Sequence, residues 1–465
     1  MADHAHAAPT GHPAAPEITV RQTIEDATRR ALSTGARFAT IDVVLGILGA
    51  IGLLALVLNA IIEGFSDLEP WGYTAMVAGY LMSAFLAAPI LAVLLRLTRS
   101  DWRRPLSRIA EIQAAAGIVV LILYIPIFLT VPRAEGRFTV WVDWPWGAPN
   151  FFNLVVLALL VFAGYAFLYI SSIPDFAIVR DRSRDDVARF EQYERLANGW
   201  RGSIRQWSVH RAGIGVLGAS YLILYIWTVS LFFWDYGLSL LPSWRSSVFP
   251  AFATMSSLQS GLALIIVTMY ILRRWGGLED YLTWDYFWSI SKLLLTTSLL
   301  WFYLWFSEFM IYWYGRLPGE INVLETVMFG VYLVPMMITL ALNFIIPLFA
   351  LMWNKVRKTV AGPTLVACGV LVGMMFDRLR IFGAAFGSED PFAHTLEDDH
   401  LPGFLVPSVL DILIVVGAIA AAIFCVRLAL RFVPLPSIWE VSGGIGLRIR
   451  RQYLNHPVTV IAKPE

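Results

Sequence analysis

The sequence predicts an all-α integral membrane protein with ten transmembrane helices, and three observations support this fold class. Hydrophobic residues make up 58% of the chain and charged residues only 15%, whereas soluble domains carry about 25% charged residues. Apolar runs recur with lengths of about 20 residues, which a helix needs to cross roughly 30 Å of hydrocarbon. The connections between these runs alternate in charge, as loops on opposite sides of a membrane do.

Charge and turn signals divide residues 41–432 into ten predicted spans, with residues 1–40 and 433–465 as the terminal tails. The spans are Ile41–Ile62, Thr74–Leu97, Ile109–Val131, Phe151–Ile173, Gly213–Phe233, Val248–Leu272, Phe287–Tyr312, Val323–Trp353, Leu365–Phe386 and Phe404–Phe432. No apolar signal segment precedes them, so we expect the first span to direct insertion into the membrane.

Arginine and lysine concentrate in every second connection, which predicts that these connections and both tails are cytoplasmic. The basic segments include Arg99–Arg108, residues 175–211, Arg273 with Arg274, and Lys355–Lys358, whereas the intervening ones carry acidic residues such as Asp67, Glu69, Glu389 and Asp390. An even number of spans agrees with both termini on one side. We therefore expect a multi-pass protein of the cell inner (cytoplasmic) membrane.

The longest basic connection predicts a helix of its own. Within residues 181–210, charged residues alternate with Phe190, Tyr193 and Leu196 at helical spacing. This pattern is typical of an amphipathic helix, and we expect it to lie along the membrane or under a partner subunit.

Several polar side chains lie inside the predicted spans, where they are costly unless they pair or line a hydrated path. The candidates for a proton path are Glu308, Asp377, Arg378, Asp411, Lys292, Glu111 and Gln259. The alternative is that ion pairs such as Asp377 with Arg380, or Glu308 with Arg378, tie helices together. Because several carboxylates are spread over the depth of the membrane, the set as a whole favours a proton path.

Other function classes lack their motifs in this sequence. The two cysteines, Cys368 and Cys425, have no cysteine or histidine neighbours at metal-ligand spacing, and the apolar runs contain no histidine pair suited to haem. A phosphate-binding glycine loop after a strand is also absent. The arginines form short clusters between spans and not one basic face, so we expect no nucleic-acid partner and no metal held by this chain.

Six stretches of the chain resemble the NrfD-type (polysulfide reductase membrane subunit) family, in particular the membrane subunits of alternative complex III. They are RSDWRRPLSRIAEIQAAA entering the third span, SSIPDFAIVRDR leaving the fourth, WDYGLSLLPSWRSSVFPAFA linking the fifth and sixth, SEFMIYWYGRLPGE ending the seventh, GMMFDRLRI in the ninth and PLPSIWEV after the tenth. Each stretch is weak alone, and their order and spacing carry the resemblance over most of the chain.

The resemblance implies an NrfD-like helix bundle without redox cofactors of its own. Its expected partners are a paralogous NrfD-type membrane subunit, an iron–sulfur/molybdopterin-like subunit, c-type haem subunits and lipid. In quinol-binding members the headgroup lies near the outer side, and Asp235, Asp175 and Arg180 are the matching candidate contacts for menaquinone or a similar quinol. Glu308 and Asp377 match the positions proposed to conduct protons in related subunits.

One departure from the family decides between two interpretations. Quinol-binding members carry a histidine in an IHVGRPW-like segment, where this chain reads IFLTVPRAEG and places Leu129. We therefore expect the proton-conducting and scaffolding paralog with a degenerate quinone pocket. The quinol-oxidising subunit itself, a purely structural membrane anchor, and secondary transport of a small solute remain as alternatives; the last lacks a visible correspondence between the two halves.

Overall fold

The computed structural model describes residues 18–33, 39–132, 137, 139, 141, 149–397, 400–453 and 456–461. Eighteen α-helices follow in chain order within this part, and a two-stranded hairpin ends it. The helices are α1 Val20–Ser33, α2 Thr40–Ile62, α3 Gly72–Leu81, α4 Ala88–Leu97, α5 Ser107–Glu111, α6 Gly117–Thr130, α7 Asn150–Arg182, α8 Val187–Ala197, α9 Ile204–Tyr236, α10 Phe249–Trp275, α11 Trp284–Gly315, α12 Pro318–Leu324, α13 Leu333–Leu340, α14 Ile346–Leu351, α15 Asn354–Arg357, α16 Ala361–Phe386, α17 Val409–Ala429 and α18 Ile438–Leu447. Strands β1 Arg448–Tyr453 and β2 His456–Ile461 pair antiparallel.

The all-α membrane architecture is confirmed by nine candidate membrane spans in the described ranges. They are Thr40–Ile62, Glu69–Leu97, Ser107–Thr130, Asn150–Arg182, Ile204–Leu240, Phe249–Trp275, Trp284–Gly315, Leu333–Leu351 and Val409–Ala429. A tenth helix, α16, has 26 residues and is also long enough to span, but Asp377, Arg378 and Arg380 lower its hydropathy.

Much of the outside of the bundle is apolar, which agrees with contact to lipid. Helix α2 illustrates this, because Leu54, Ile61 and Ile62 expose 58%, 73% and 64% of their surface. Several polar and charged groups of the spans face inwards instead: Asp175, Asp235, Gln259 and Asp377 are each fully buried. This arrangement, polar inside and apolar outside, is the reverse of a soluble fold and agrees with insertion in a bilayer.

Helices α2 and α17 pack against each other through glycine. A Cβ atom added at Gly52 would lie 2.6 Å from the Cα of Gly417, so only glycine permits this backbone approach. At one end of the pair, Asp42 forms ion pairs with Arg427 and with Arg431, the latter at 2.9 Å. The first and last candidate spans are thereby joined side by side.

The described ranges contain π-helical segments at Met82–Leu86, Glu325–Phe329 and Ala341–Ile345. A π-helical turn breaks the regular backbone ladder, so its carbonyls can accept bonds from side chains. Tyr221 donates to the carbonyl of Leu86 at 2.7 Å, and Gln259 donates to that of Asn343 at 2.7 Å. The segments therefore bring buried polar side chains to the backbone inside the bundle.

The structure shortens two predicted spans. The predicted span Val323–Trp353 is interrupted, because the π-helical segment ends at Gly330 and a regular helix resumes only at Leu333. The predicted span Phe404–Phe432 begins late, since the hydroxyl of Ser408 caps α17 by accepting from the amide of Asp411 at 3.1 Å. Hydropathy does not register either backbone feature.

The predicted terminal tails and the cytoplasmic connection contain regular structure. Helix α8 lies within the predicted amphipathic segment, with Tyr193 buried and Phe190 and Leu196 half-buried, so that helix is confirmed. Helix α1 lies in the N-terminal tail, and α18 with the hairpin lies in the C-terminal tail. Neither tail was expected to fold in this way. His4, His6 and His12 lie outside the described residues.

Candidate functional site

The bundle contains three buried polar clusters, and the first joins α5 to α7. Arg108 donates to Asp175 at 2.8 Å and lies 3.3 Å from Glu111, and all three side chains are fully buried. The hydroxyl of Ser171 donates to Glu111 at 2.6 Å. Two carboxylates thus share one guanidinium at the end of the bundle where the basic connections lie.

The C-terminal segment completes this first cluster, which we call the arginine cluster. Arg96 forms ion pairs with both Glu111 and Glu440, and Arg103 lies 4.0 Å from Glu440. The backbone amide of Trp439 donates to Asp175 at 2.9 Å. Three arginines therefore face three acidic residues, and the opposite charges balance in a largely buried site.

Glu440 lies outside the spans, and its charge state follows from these contacts. Burial alone would raise the pKa of its carboxyl, but Arg96 and Arg103 outweigh burial and hold the pKa below its ordinary value of 4.5. Glu440 is therefore a carboxylate at neutral pH and anchors α18 to α4 electrostatically.

The second cluster surrounds Asp235 at the other end of α9. One oxygen of its carboxyl, Oδ2, accepts from the indole of Trp141 at 3.0 Å and from Asn153 at 2.7 Å. The other oxygen, Oδ1, has no hydrogen-bond partner among the described residues. Arg137 donates to the backbone carbonyl of Asp235 at 2.8 Å and to Ser239 at 2.9 Å, so it does not pair with the carboxyl.

Two tyrosines extend the Asp235 cluster. The hydroxyl groups of Tyr124 and Tyr236 are hydrogen-bonded to each other, and Tyr124 donates to the carbonyl of Asn150 at 2.9 Å. Asn153 lies 3.4 Å from the Tyr236 hydroxyl and also bonds the carboxyl. The result is a continuous line of polar atoms from the carboxyl to the start of α7.

The third cluster lies between α3, α10 and α16. Asp377 is held by Arg378 at 2.8 Å and by Arg380 at 2.7 Å. Arg378 donates to Ser256 at 2.7 Å and to Ser83 at 3.2 Å, and its guanidinium lies 4.4 Å from the centre of the Phe233 ring. The predicted pair of Asp377 with Arg380 is present, but it lies within one helix and does not tie two helices together.

Glu308 lies near this third cluster without joining an ion pair of the described residues. Its Oε1 accepts from the indole of Trp244 at 3.0 Å, and only 4% of its surface is exposed. The predicted pair of Glu308 with Arg378 is therefore wrong, because Arg378 is engaged by Asp377 and serines. Gln259, also predicted for this path, donates to Ser298 at 2.8 Å.

The remaining candidate residues lie apart from these clusters. Arg180, in the last turn of α7, pairs with Asp181 and with Glu194, each at 3.0 Å. Asp411 accepts from the Ser408 hydroxyl at 2.8 Å as part of a helix cap. Lys292 is exposed on the outside of α11. None of these three side chains contacts the buried clusters through any interaction described here.

The candidate quinone contacts do not form one site. Asn153 contacts Asp235, and Asp175 lies 22 positions later on the same helix, which corresponds to about 33 Å along its axis. Leu129 is 51% exposed on α6 and takes no part in the hydrogen bonds around Asp235. In the described ranges, no group of three or more His, Cys, Asp or Glu side chains could hold a metal ion.

No protein-family model matches this sequence, and no curated protein matches it. The site is therefore described by its own residues. Hydropathy did not identify two residues of the arginine cluster, Arg96 at the end of α4 and Glu440 in the C-terminal tail. The signal for Glu440 was present, since it is the one acidic residue in the apolar sequence IWEVSGGIGL.

Proposed function

We propose that this chain is a membrane subunit of a quinol-oxidising electron-transfer complex similar to alternative complex III, and that it conducts protons and scaffolds its partners. In this proposal α16 is a tenth span, both termini are cytoplasmic, and the protein resides in the cell inner membrane. The motif resemblance supports the complex, and the burial of Asp377, Arg378 and Arg380 inside the bundle supports counting α16 as a span.

The observation that carries the proton role is the contrast between two kinds of buried carboxyl. Asp175, Glu111 and Asp377 each face an arginine within 3.3 Å, which stabilises the charged form. Glu308 and Asp235 have no ion-pair partner among the described residues and accept only neutral donors. A carboxyl without a fixed countercharge can gain and lose a proton at lower cost, so these two are the proposed carriers.

Hydroxyl and amide groups support two stretches of a route between the two ends, and the apolar residues 261–267 of α10 separate them. From the Asp377 cluster, Ser256, Ser257 and Ser260 continue along α10 and are all fully buried. Further along α10, the Thr268 hydroxyl accepts from Gln113 at 3.3 Å. Gln113 follows Glu111 of the arginine cluster by two positions. Such groups can relay protons when water joins them. Asp377 itself is better suited to remain a fixed charge than to carry a proton, because Arg378 and Arg380 both pair with it.

A second candidate function is quinol oxidation at Asp235, favoured by the neighbouring tyrosines and by the Oδ1 atom, which has no hydrogen-bond partner among the described residues. Against it, Trp141 and Asn153 occupy the other carboxyl oxygen, which supports a degenerate pocket. Because Leu129 is exposed and takes no part in the hydrogen bonds around Asp235, it does not explain a degenerate quinone pocket. Trp141 and Asn153, which donate to Asp235, explain it instead. A quinone headgroup bound here would have to displace the Trp141 indole.

Purification from native membranes through an affinity tag on this chain tests the proposal. We expect c-type haem and iron–sulfur subunits to co-purify and the haem to be reduced on addition of menaquinol. Isolation of the chain without redox partners would contradict the proposal. A density map of the same complex discriminates the second candidate, since quinone-like density beside Asp235 would identify this chain as the quinol-oxidising subunit.

A further inference from the structure

Three of the four lysines in the chain lie on α11 and the segment around α15. They are Lys292, Lys355 and Lys358, and the fourth is Lys463. Every other basic residue of the bundle is arginine. Lysine carries a compact charge on a flexible stem and binds phosphate as a point charge, whereas arginine favours planar, two-pronged contacts. The concentration of lysine at this place therefore points to a bound phosphate group.

Two of these lysines converge on one aromatic ring. The ammonium nitrogen of Lys292 lies 3.5 Å from the centre of the Trp288 ring, and that of Lys358 lies 5.8 Å from the same centre. These distances place the two ammonium groups within about 9.3 Å of each other. Like charges so close together repel each other, and an anion between them would remove that repulsion.

The protein does not supply that anion among its described residues. None of the three lysines forms an ion pair there with an acidic side chain, although arginines elsewhere in the bundle do. The nearest acidic residue in sequence, Asp285, is engaged by the hydroxyl of Thr283. Lys292 is exposed eight positions into a candidate span, about 12 Å along its axis, where an unpaired charge is costly.

The surface beside the lysines suits hydrocarbon. Leu299, two turns beyond Lys292 on the same face of α11, is 44% exposed, and Phe349 and Trp353 at the neighbouring end of α14 are 60% and 61% exposed. A ligand of this surface thus needs an anionic head and an apolar tail. A soluble anion would use the lysines and leave the apolar surface uncovered.

We infer that Lys292 and Lys358, which both lie close to the Trp288 ring, bind the phosphate of an anionic phospholipid whose acyl chains lie along α11 and α14. The two ammonium groups favour a lipid with net negative charge over a zwitterionic one, because a zwitterionic headgroup adds its own cation. This site is separate from the buried clusters and does not depend on the proposed electron-transfer role.

Native mass spectrometry of the full-length, delipidated protein tests this inference. The protein is titrated with phosphatidylglycerol or phosphatidylcholine of the same acyl chains, and retained lipid is counted. For the double variant K292Q/K358Q we expect phosphatidylglycerol affinity to fall on the order of 30-fold, with phosphatidylcholine affinity unchanged. The matched control is R205Q/R211Q, which removes two exposed cytoplasmic-side charges on α9 and should bind phosphatidylglycerol as the wild type does.

Three outcomes would overturn the inference. Equal phosphatidylglycerol binding by K292Q/K358Q and wild type would show that the lysines are not the site. An equal loss in both double variants would reduce the effect to general surface charge. Displacement of the lipid by millimolar inorganic phosphate would assign the site to a soluble anion. Because these lysines are on the surface, thermal unfolding should be the same in both double variants and the wild type.

Discussion

The ion pair between Arg96 and Glu440 predicts a measurable cost for removing one carboxylate. In the variant Glu440→Gln the side chain keeps its size but loses the negative charge that faces Arg96 and Arg103. Breaking a buried pair typically costs about 3–5 kcal/mol. Because Arg96 retains its contact with Glu111, we expect the lower end, about 3 kcal/mol, or about a 150-fold larger equilibrium constant for release of α18.

Hydrogen–deuterium exchange of the α18 amides in detergent-solubilised protein measures this release. Exchange in Glu440→Gln should be faster than in the wild type by up to that factor. The matched control is Glu279→Gln, because Glu279 is 72% exposed and lies 3.7 Å from Arg273 in a surface pair that contributes little. Equally slow exchange of α18 in the wild type and in Glu440→Gln would refute the reasoning.

Three further predictions follow from the packing and the polar contacts. Acidification should release α18 as well: the carboxylate of Glu440 stabilises docking, so protection of its amides should hold from neutral pH down to 4.5 and decline as pH falls through its lowered pKa. Gly52→Val should lower stability by about 1–3 kcal/mol in thermal unfolding, because its Cβ would lie 2.6 Å from the Cα of Gly417. Gly46→Val should cost less stability, since its Cβ would meet only the Phe424 ring at 3.6 Å. Equal costs would argue against the contact between Gly52 and Gly417. Asp235→Asn should keep both hydrogen bonds to its side chain and unfold near the wild-type temperature. Asp235→Leu leaves the Trp141 and Asn153 donors unpaired and should lower the free energy of unfolding by at least about 2 kcal/mol. Identical stability of the two variants would contradict this.

Local sequence patterns predicted most of the helices, because hydropathy and length alone determine which segments a bilayer accepts. The predicted span Val248–Leu272 lies within α10 except for Val248, which precedes the helix, and Leu365–Phe386 lies within α16. The pair of Asp377 with Arg380 was also predictable, since residues three positions apart share a helix face. Where the backbone departs from regular helix, as before Leu333, side-chain hydropathy carries no signal.

The arginine cluster could not be predicted from the sequence, for a different reason. Glu440 meets Arg96 across 344 positions of sequence, and no local pattern encodes a contact of that range. Glu308 shows the same limit, because its partner proved to be the indole of Trp244 and not a cation. Sequence identified which side chains are costly in a membrane, and three-dimensional packing determined what neutralises each of them.

Proton translocation by the purified complex in proteoliposomes tests the central claim most directly. The variant is Glu308→Gln, and the matched control is Glu325→Gln, since Glu325 is exposed on the π-helical segment after α12. The account predicts that Glu308→Gln assembles and oxidises quinol but moves fewer protons per electron, while the control matches the wild type. An unchanged ratio in Glu308→Gln, or loss of assembly without a selective coupling defect, would contradict it.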